Sequence, residues 1–238
     1  MPPASVSPGL VKFVQSELAA CADEERAVEM AAYMKSAVPF YGVAKPERLP
    51  IIRAFKKQFA PAGQAQYLAN VRALWQLPYR EEKYLAINYA EQFPAFIAPS
   101  ALPLYEQMVR QGAWWDYVDV IAGHLVGKVL LENESLVRPQ VDSYVDDADL
   151  WIRRTALLSH LDHKDKTSQK HLFAYCLKLA HEKEFFIRKA IGWALRQYSY
   201  SDPEAVRRFL EKNRAKLSPL SYNEGAKNLF KTGLLKKY

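Results

Sequence analysis

Four segments of this chain fall into register at a constant step of 35 residues: 81–86, 116–121, 151–156 and 186–191. In that register Tyr84, Asp119, Arg154 and Lys189 occupy equivalent positions, and the apolar residues around them recur with the 3.6-residue spacing of helices. A repeat of this length holds one helix pair, and a pair that cannot bury its own apolar face must stack on its neighbours. The step therefore predicts an all-α chain, an α-solenoid of HEAT-like helical repeats whose inner helices line a concave groove. HEAT units usually run somewhat longer, and identity between the segments is low, so the register rests on helix spacing more than on shared side chains. Along the predicted groove Arg154 and Lys189 bring positive charge and Asp119 negative charge.

Helix signals fill the rest of the chain. Ser7-Pro8 reads as a cap and first-turn residue ahead of the stripe Leu10, Val11, Phe13, Val14 and Leu18. A second helix is expected over 23–37, stopping before Pro39, and a turn at 42–48 feeds a third that runs through Phe59 and carries Lys45, Arg48, Arg53, Lys56 and Lys57. Beyond it the spacing predicts helices over 64–76, 79–93, 100–111, 114–131, 134–146, 149–161, 167–181, 184–199, 203–213 and 218–231, separated by turns rich in Pro, Asp, Ser and Gly. Residues 1–9 read as a leader, 10–231 as one repeat domain and 232–238 as a short basic tail whose Lys236-Lys237 is a solvated charge.

Charge narrows the partners. Lys and Arg total 33 against 26 Asp and Glu, a formal net charge of +7, which favours an anionic partner such as nucleic acid. Only Cys21 and Cys176 occur, without the spacing of a zinc site, so a reducing cytoplasm is the expected compartment, nucleoid-associated when the protein is bound to DNA. No cofactor and no metal are expected, and His160-Leu161-Asp162-His163 reads as a solvated turn. No apolar run approaches a membrane span and the first residues lack a signal-peptide pattern, so a soluble, unexported monomer is expected.

The chemistry concentrates in Trp114-Trp115-Asp116-Tyr117-Val118-Asp119. On a helix Trp115 and Asp119, four apart, share a face while Trp114 points about 100° away, so one indole can serve the core while the other flanks a carboxylate. A tryptophan pair alone is more often core packing. Two later segments change the balance: an arginine pair, Arg153-Arg154, interrupts an apolar helix after Trp151, and Arg188-Lys189 is followed by Trp193 and Arg196, three apart on one face. Taken alone, Arg154 could equally be a surface cation lying over its neighbours. Gly192 beside Trp193 permits the close approach of another body.

Tyr33-Met34-Lys35, Gly42-Val43 with Pro46-Glu47-Arg48, Trp114-Trp115-Asp116 with Val118-Asp119, Trp151 with Arg154, and 184–196 around Lys189 and Trp193 together resemble the AlkD family of DNA glycosylases. These are HEAT-like repeat proteins that remove cationic alkylated purines, and the likeness runs in unbroken order over roughly residues 10–230. It implies a catalytic carboxylate at Asp119, flanking indoles at Trp115 and Trp193 and the family's functional arginine at Arg154. Tyr33 and Arg196 match groove-lining positions, and Lys35, Lys45, Arg48 and Lys189 are the further expected DNA contacts. Tyr117 and Lys45 depart from the pattern, the first bearing on groove shape and the second adding a phosphate contact.

An N3- or N7-alkylated purine already carries positive charge, so its glycosidic bond leaves without a general acid, and one carboxylate suffices to stabilise the oxocarbenium-like sugar and hold the attacking water. Indole faces attract a cationic nucleotide, and Arg154 either orients Asp119 or grips a phosphate. The expected function is therefore a glycosylase acting on damaged duplex DNA. The alternative is a catalytically silent HEAT-like module that binds DNA or protein through the same groove.

Overall fold

The computed structural model describes residues 5–236, so Lys237 of the expected basic tail and residues 1–4 of the expected leader lie outside the described residues. Among the described residues there is no strand, and the chain is all-α. It divides into two compact units, one ending at Leu104 and one beginning at Tyr105.

The first unit contains α1 (Leu10–Ala20), α2 (Glu24–Met34), α3 (Lys45–Gln58), α4 (Gln64–Trp75) and α5 (Arg80–Gln92). Helix α5 packs on α4, α3 and α1, burying Phe55, Tyr67, Leu74, Leu85 and Tyr89. Each fully buried side chain of this size contributes roughly 1.5–3 kcal/mol. Ser7 does not cap α1, whose N-cap is Gly9 at φ 77°. Instead Ser7 is buried and pairs with Asn70, its N–H donating to Asn70 Oδ1 at 2.7 Å and its Oγ accepting from Asn70 Nδ2 at 2.9 Å. Helix α2 starts on the side chain of Asp23, which accepts from Arg26 N, and stops at Lys35, whose left-handed φ of 49° ends it earlier than Pro39 requires.

The loop before α3 is fixed by buried Glu81 of α5, which accepts from the backbone N–H groups of Tyr41, Gly42 and Val43 at 3.0, 2.9 and 3.1 Å. Gly42 has φ 82° and lies so close to Asp23 that a Cβ would meet the Asp23 carbonyl oxygen at 2.0 Å. Glycine is required there on both grounds.

The second unit begins within α6 (Leu102–Gly112) and continues with α7 (Trp115–Val120), a π-helical turn (Ile121–Val126), α8 (Gly127–Glu132), α9 (Glu134–Ser143), α10 (Leu150–Leu158), α11 (Gln169–Lys178), α12 (Phe185–Tyr198), α13 (Pro203–Lys212) and α14 (Pro219–Thr232). Helix α7 packs on α10, α10 on α12 and α12 on α14, while α9 packs on α8, α11 on α10, and α13 on α12 and α14. This alternation of one helix in a continuous row with one that covers it is the helix-pair stacking of an α-solenoid, with the 35-residue register running along the row. The approach of α12 to α14 depends on Gly192, where a Cβ would meet Glu224 Cβ at 2.4 Å and the Ser221 carbonyl oxygen at 2.8 Å. The other body that Gly192 admits is thus α14.

Spacing predicts one α-helix over 114–131, and the structure differs. Trp114 is the extended N-cap of α7, and the helix widens into the π turn, where Gly127 N–H donates to Ala122 O five residues back. Two neighbours hold that widening. A Cβ on Gly127 would meet Ser159 O at 2.6 Å, and Gly127 O accepts from His163 Nε2 at 2.8 Å. His163 and His160 are buried, so the turn expected to be solvated is solvated only at Asp162, Lys164, Asp165 and Lys166. His160 lies between Ser159, Arg138 and Tyr175, and burial pushes its pKa down to about 3, with the charges of His163 and Arg138 acting in the same direction. It is a neutral core histidine.

Candidate active site

Asp119 closes the last turn of α7 and faces α10. Its two carboxylate oxygens accept from Arg154 in a bidentate pair, Nε to Oδ1 at 2.7 Å and Nη2 to Oδ2 at 2.9 Å, while Nη1 donates to the Phe186 carbonyl. The Arg154 side chain is 4% exposed and that of Asp119 13%. In this structure the Arg154 guanidinium is thus paired with Asp119 and turned away from solvent. A bidentate fork leaves the carboxylate plane no freedom to turn. Burial pushes the Asp119 pKa up, opposed by the hydrogen bonds and charge of Arg154 and assisted by nearby Asp116.

Trp114 is not on the helix expected for it but at its extended N-cap. Its ring centroid is 6.0 Å from that of Trp151 and 5.6 Å from that of Phe186. Trp115 is half-buried at the first position of α7, four residues before Asp119. Trp193 of α12 joins Asp119 in lining a cavity of about 180 Å3, together with Val120, Gly123, His124, Leu161, Asp162 and Gln197. A carboxylate held on one side by a buried guanidinium and open on the other to an indole-walled cavity can stabilise a developing cation.

One step further along the register, Lys189 meets Glu224 of α14, again 35 residues on. Glu224 is 3% exposed and accepts from Lys189 Nζ, from Arg196 Nη1 and from Lys227 Nζ, the last at 2.8 Å. Burial pushes its pKa up, but the hydrogen bonds of Lys189 and Lys227 and the charges of Arg196 and Lys189 outweigh that and hold it below the ordinary carboxylate range. The cations keep outward faces, Lys189 being 37% and Arg196 26% exposed.

In the first unit Tyr33 is 77% exposed, and Lys35 and Lys45 are exposed at the end of α2 and the start of α3. Arg48 is buried, with its guanidinium carbon 4.5 Å from the centroid of the Tyr84 ring. The register position at Tyr84 thus packs the unit's own arginine.

A family model for DNA alkylation repair enzymes matches residues 14–229, most of the chain. The chain belongs to the DNA alkylation repair enzyme family. It is also similar to a solved structure described as a "Predicted DNA alkylation repair enzyme from Enterococcus faecalis", with 32% identity and a TM-score of 0.78, covering 87% of this chain and 96% of that one. No curated protein sequence gives a significant match. Membership in a DNA alkylation repair family accords with the cationic surface of the Lys189–Glu224 cluster and with the net charge of +7.

Three side chains at these clusters, Glu224, His124 and Asp162, were given no site role by the sequence reading, which placed Asp162 in a solvated turn. Glu224 is one 35-residue step beyond Lys189, so extending the register once more would have found it. His124 and Asp162 had no such signal, because the first reaches the cavity through the π turn and the second from a different helix pair. Among the described residues there is no cluster of three or more His, Cys, Asp and Glu placed to hold a metal ion, and no helix is long and apolar enough to cross a membrane. Cys176 is buried, and burial pushes its thiol pKa well up, as expected of an inert core cysteine.

Proposed function

We propose that this protein is a DNA glycosylase that hydrolyses the N-glycosidic bond of cationic N3- and N7-alkylated purines in damaged duplex DNA. The observation that supports this reading most is Asp119, a carboxylate locked by Arg154 and opening on a cavity walled by Trp193. A surface that only binds polyanionic DNA gains nothing from a desolvated carboxylate, whereas a site where positive charge grows on the sugar gains directly. Trp115 and Trp193 offer indole faces to the cationic nucleotide, each contact contributing roughly 0.5–2 kcal/mol. Arg154 acts through Asp119 by fixing its plane. Lys189 and Arg196 meet phosphates at the second cluster, and Tyr33, Lys35 and Lys45 supply contacts from the first unit; Arg48 positions structure beneath Tyr84.

The leaving base requires no proton because it starts as a cation and departs neutral. Selection then follows the charge and instability of the lesion. The deciding experiment incubates the purified protein with methylated duplex DNA and measures free 7-methylguanine and 3-methyladenine by chromatography. Release of both, with hypoxanthine and uracil left in place, is the expected result. Binding without release identifies the silent module instead.

A further inference from the structure

In a straight α-helix His124, five residues after Asp119, would stand about 140° away around the axis. The π turn of Ile121–Val126 lengthens the turn between them and sets His124 in the wall of the cavity that Asp119 and Trp193 line. From the turn after α10, Asp162 joins the same wall with its Oδ2 3.6 Å from His124 Nε2, and both side chains stay about half exposed. On the other side of His124 a second cavity is lined by Lys128, Glu132 and His163. Lys128 is engaged by Glu132, and His163 by the Gly127 carbonyl. Asp162 is thus a carboxylate beside the imidazole, and Asp119 with its Arg154 partner lines the same cavity.

Hydrolysis leaves a proton to be placed. Water oxygen bonds to C1′ of the sugar, and the C1′–N bond breaks with its electron pair passing to the base, which becomes neutral. The water proton then needs an acceptor. Asp119 supports the sugar only while it stays ionised, so a separate proton acceptor would leave that support, and its pair with Arg154, intact. We propose, resting on the glycosylase reading above, that His124, oriented by Asp162, accepts the proton of the attacking water and passes it to solvent. An imidazole titrates ordinarily between about pH 5 and 8, which suits a base at neutral pH, and a carboxylate behind it both orients the ring and stabilises the imidazolium. The cavity of about 180 Å3 that both groups line is large enough to hold water.

The test measures single-turnover release of 7-methylguanine from a duplex across pH for the wild type, H124Q and D162N, with binding to undamaged duplex measured alongside. For the wild type the rate falls on the acid side as the imidazole protonates. H124Q is expected to lose about tenfold or more at neutral pH, to lack that acid limb and to bind DNA as before. D162N keeps the limb but shifted to lower pH, because the imidazolium loses its counter-charge. Added imidazole restores release to H124G. An H124Q curve that overlies the wild type, or one reduced by the same factor at every pH, overturns the assignment of His124 while the glycosylase reading stands. A wild type that releases no base overturns the glycosylase reading itself, and the proton acceptor with it.

Discussion

Two ion-pair clusters occupy successive pairs of positions in the same register, 119 with 154 and 189 with 224, and they are built with opposite polarity. At Asp119–Arg154 the cation is the buried partner, 4% exposed, and the carboxylate is turned toward a cavity. At Lys189–Glu224 the carboxylate is the buried partner, 3% exposed, and the amines and guanidinium are turned outward. A fixed backbone step thus displays negative charge at one position and positive charge two steps further on. On the proposed reading, the first would meet a cationic nucleotide and the second a phosphate of the flanking backbone. Each buried member has the same physical role: it holds its exposed partner in place while offsetting the cost of desolvating it.

The largest difference between the clusters should appear in chemistry. Asp119→Asn is expected to slow single-turnover base release by about 100-fold or more with DNA affinity retained, whereas Glu224→Gln at saturating protein should stay within a few-fold of the wild type. Comparable losses in both variants would erase the proposed division of labour.

Next in size is stability. Glu224→Ala leaves Lys189 and Arg196 crowded without their buried counter-charge and is expected to cost about 2–4 kcal/mol in denaturant unfolding. A midpoint indistinguishable from the wild type would show that the cluster is held together by α12–α14 packing alone.

Acid should separate the clusters by sign. Because Glu224 is held below the ordinary carboxylate range, its contribution is present above about pH 4.3, its unfolded-state value, and is lost as pH falls through its depressed pKa. Asp119 is displaced upward, so protonation relieves a burial cost there and Asp119→Asn should not flatten the acid limb. Superposed on both is His160. Neutral in the folded state with a pKa near 3, it lets stability decline from about pH 6.5, where the unfolded imidazole takes up its proton, down to that value. Thermal melts of Glu224→Gln, Asp119→Asn and His160→Asn against pH resolve the three contributions, and a flat profile in Asp119→Asn would reverse the assignment of sign.

The smallest effect concerns the outward cations. Lys189→Ala should weaken binding to undamaged duplex a few-fold and reduce the slope of log affinity against log salt by about 1, while Arg154→Lys should leave that slope unchanged because Arg154 points inward. Equal changes in slope would mean that both cations meet phosphate.

The helix period made part of the candidate site legible. Trp115 and Asp119 share a face whenever 115–119 is helical, and Arg154 lies at the equivalent position of the next repeat, but it was the family resemblance that joined them into one site. Arg48 shows the limit of such reasoning. A basic residue after a turn reads as a phosphate contact, yet its guanidinium lies over Tyr84 because an exposed-looking helix position was covered by a neighbouring helix. The histidines of 160–163 show the same limit in reverse: two polar residues beside charged ones read as solvated, and packing against Gly127, Arg138 and Tyr175 buried them.

By itself the sequence determined the all-α class, the 35-residue register and the residue types that meet at each step, since these depend on local periodicity and on apolar faces that must be covered. Tertiary structure alone decided which partner of each ion pair faces outward, and where the helix after Asp119 opens into a π turn. Both depend on how closely two helices approach. Gly127 lets Ser159 press against the widened turn and Gly192 lets Glu224 sink beneath Lys189, and such contacts between distant residues leave no periodic trace in the chain.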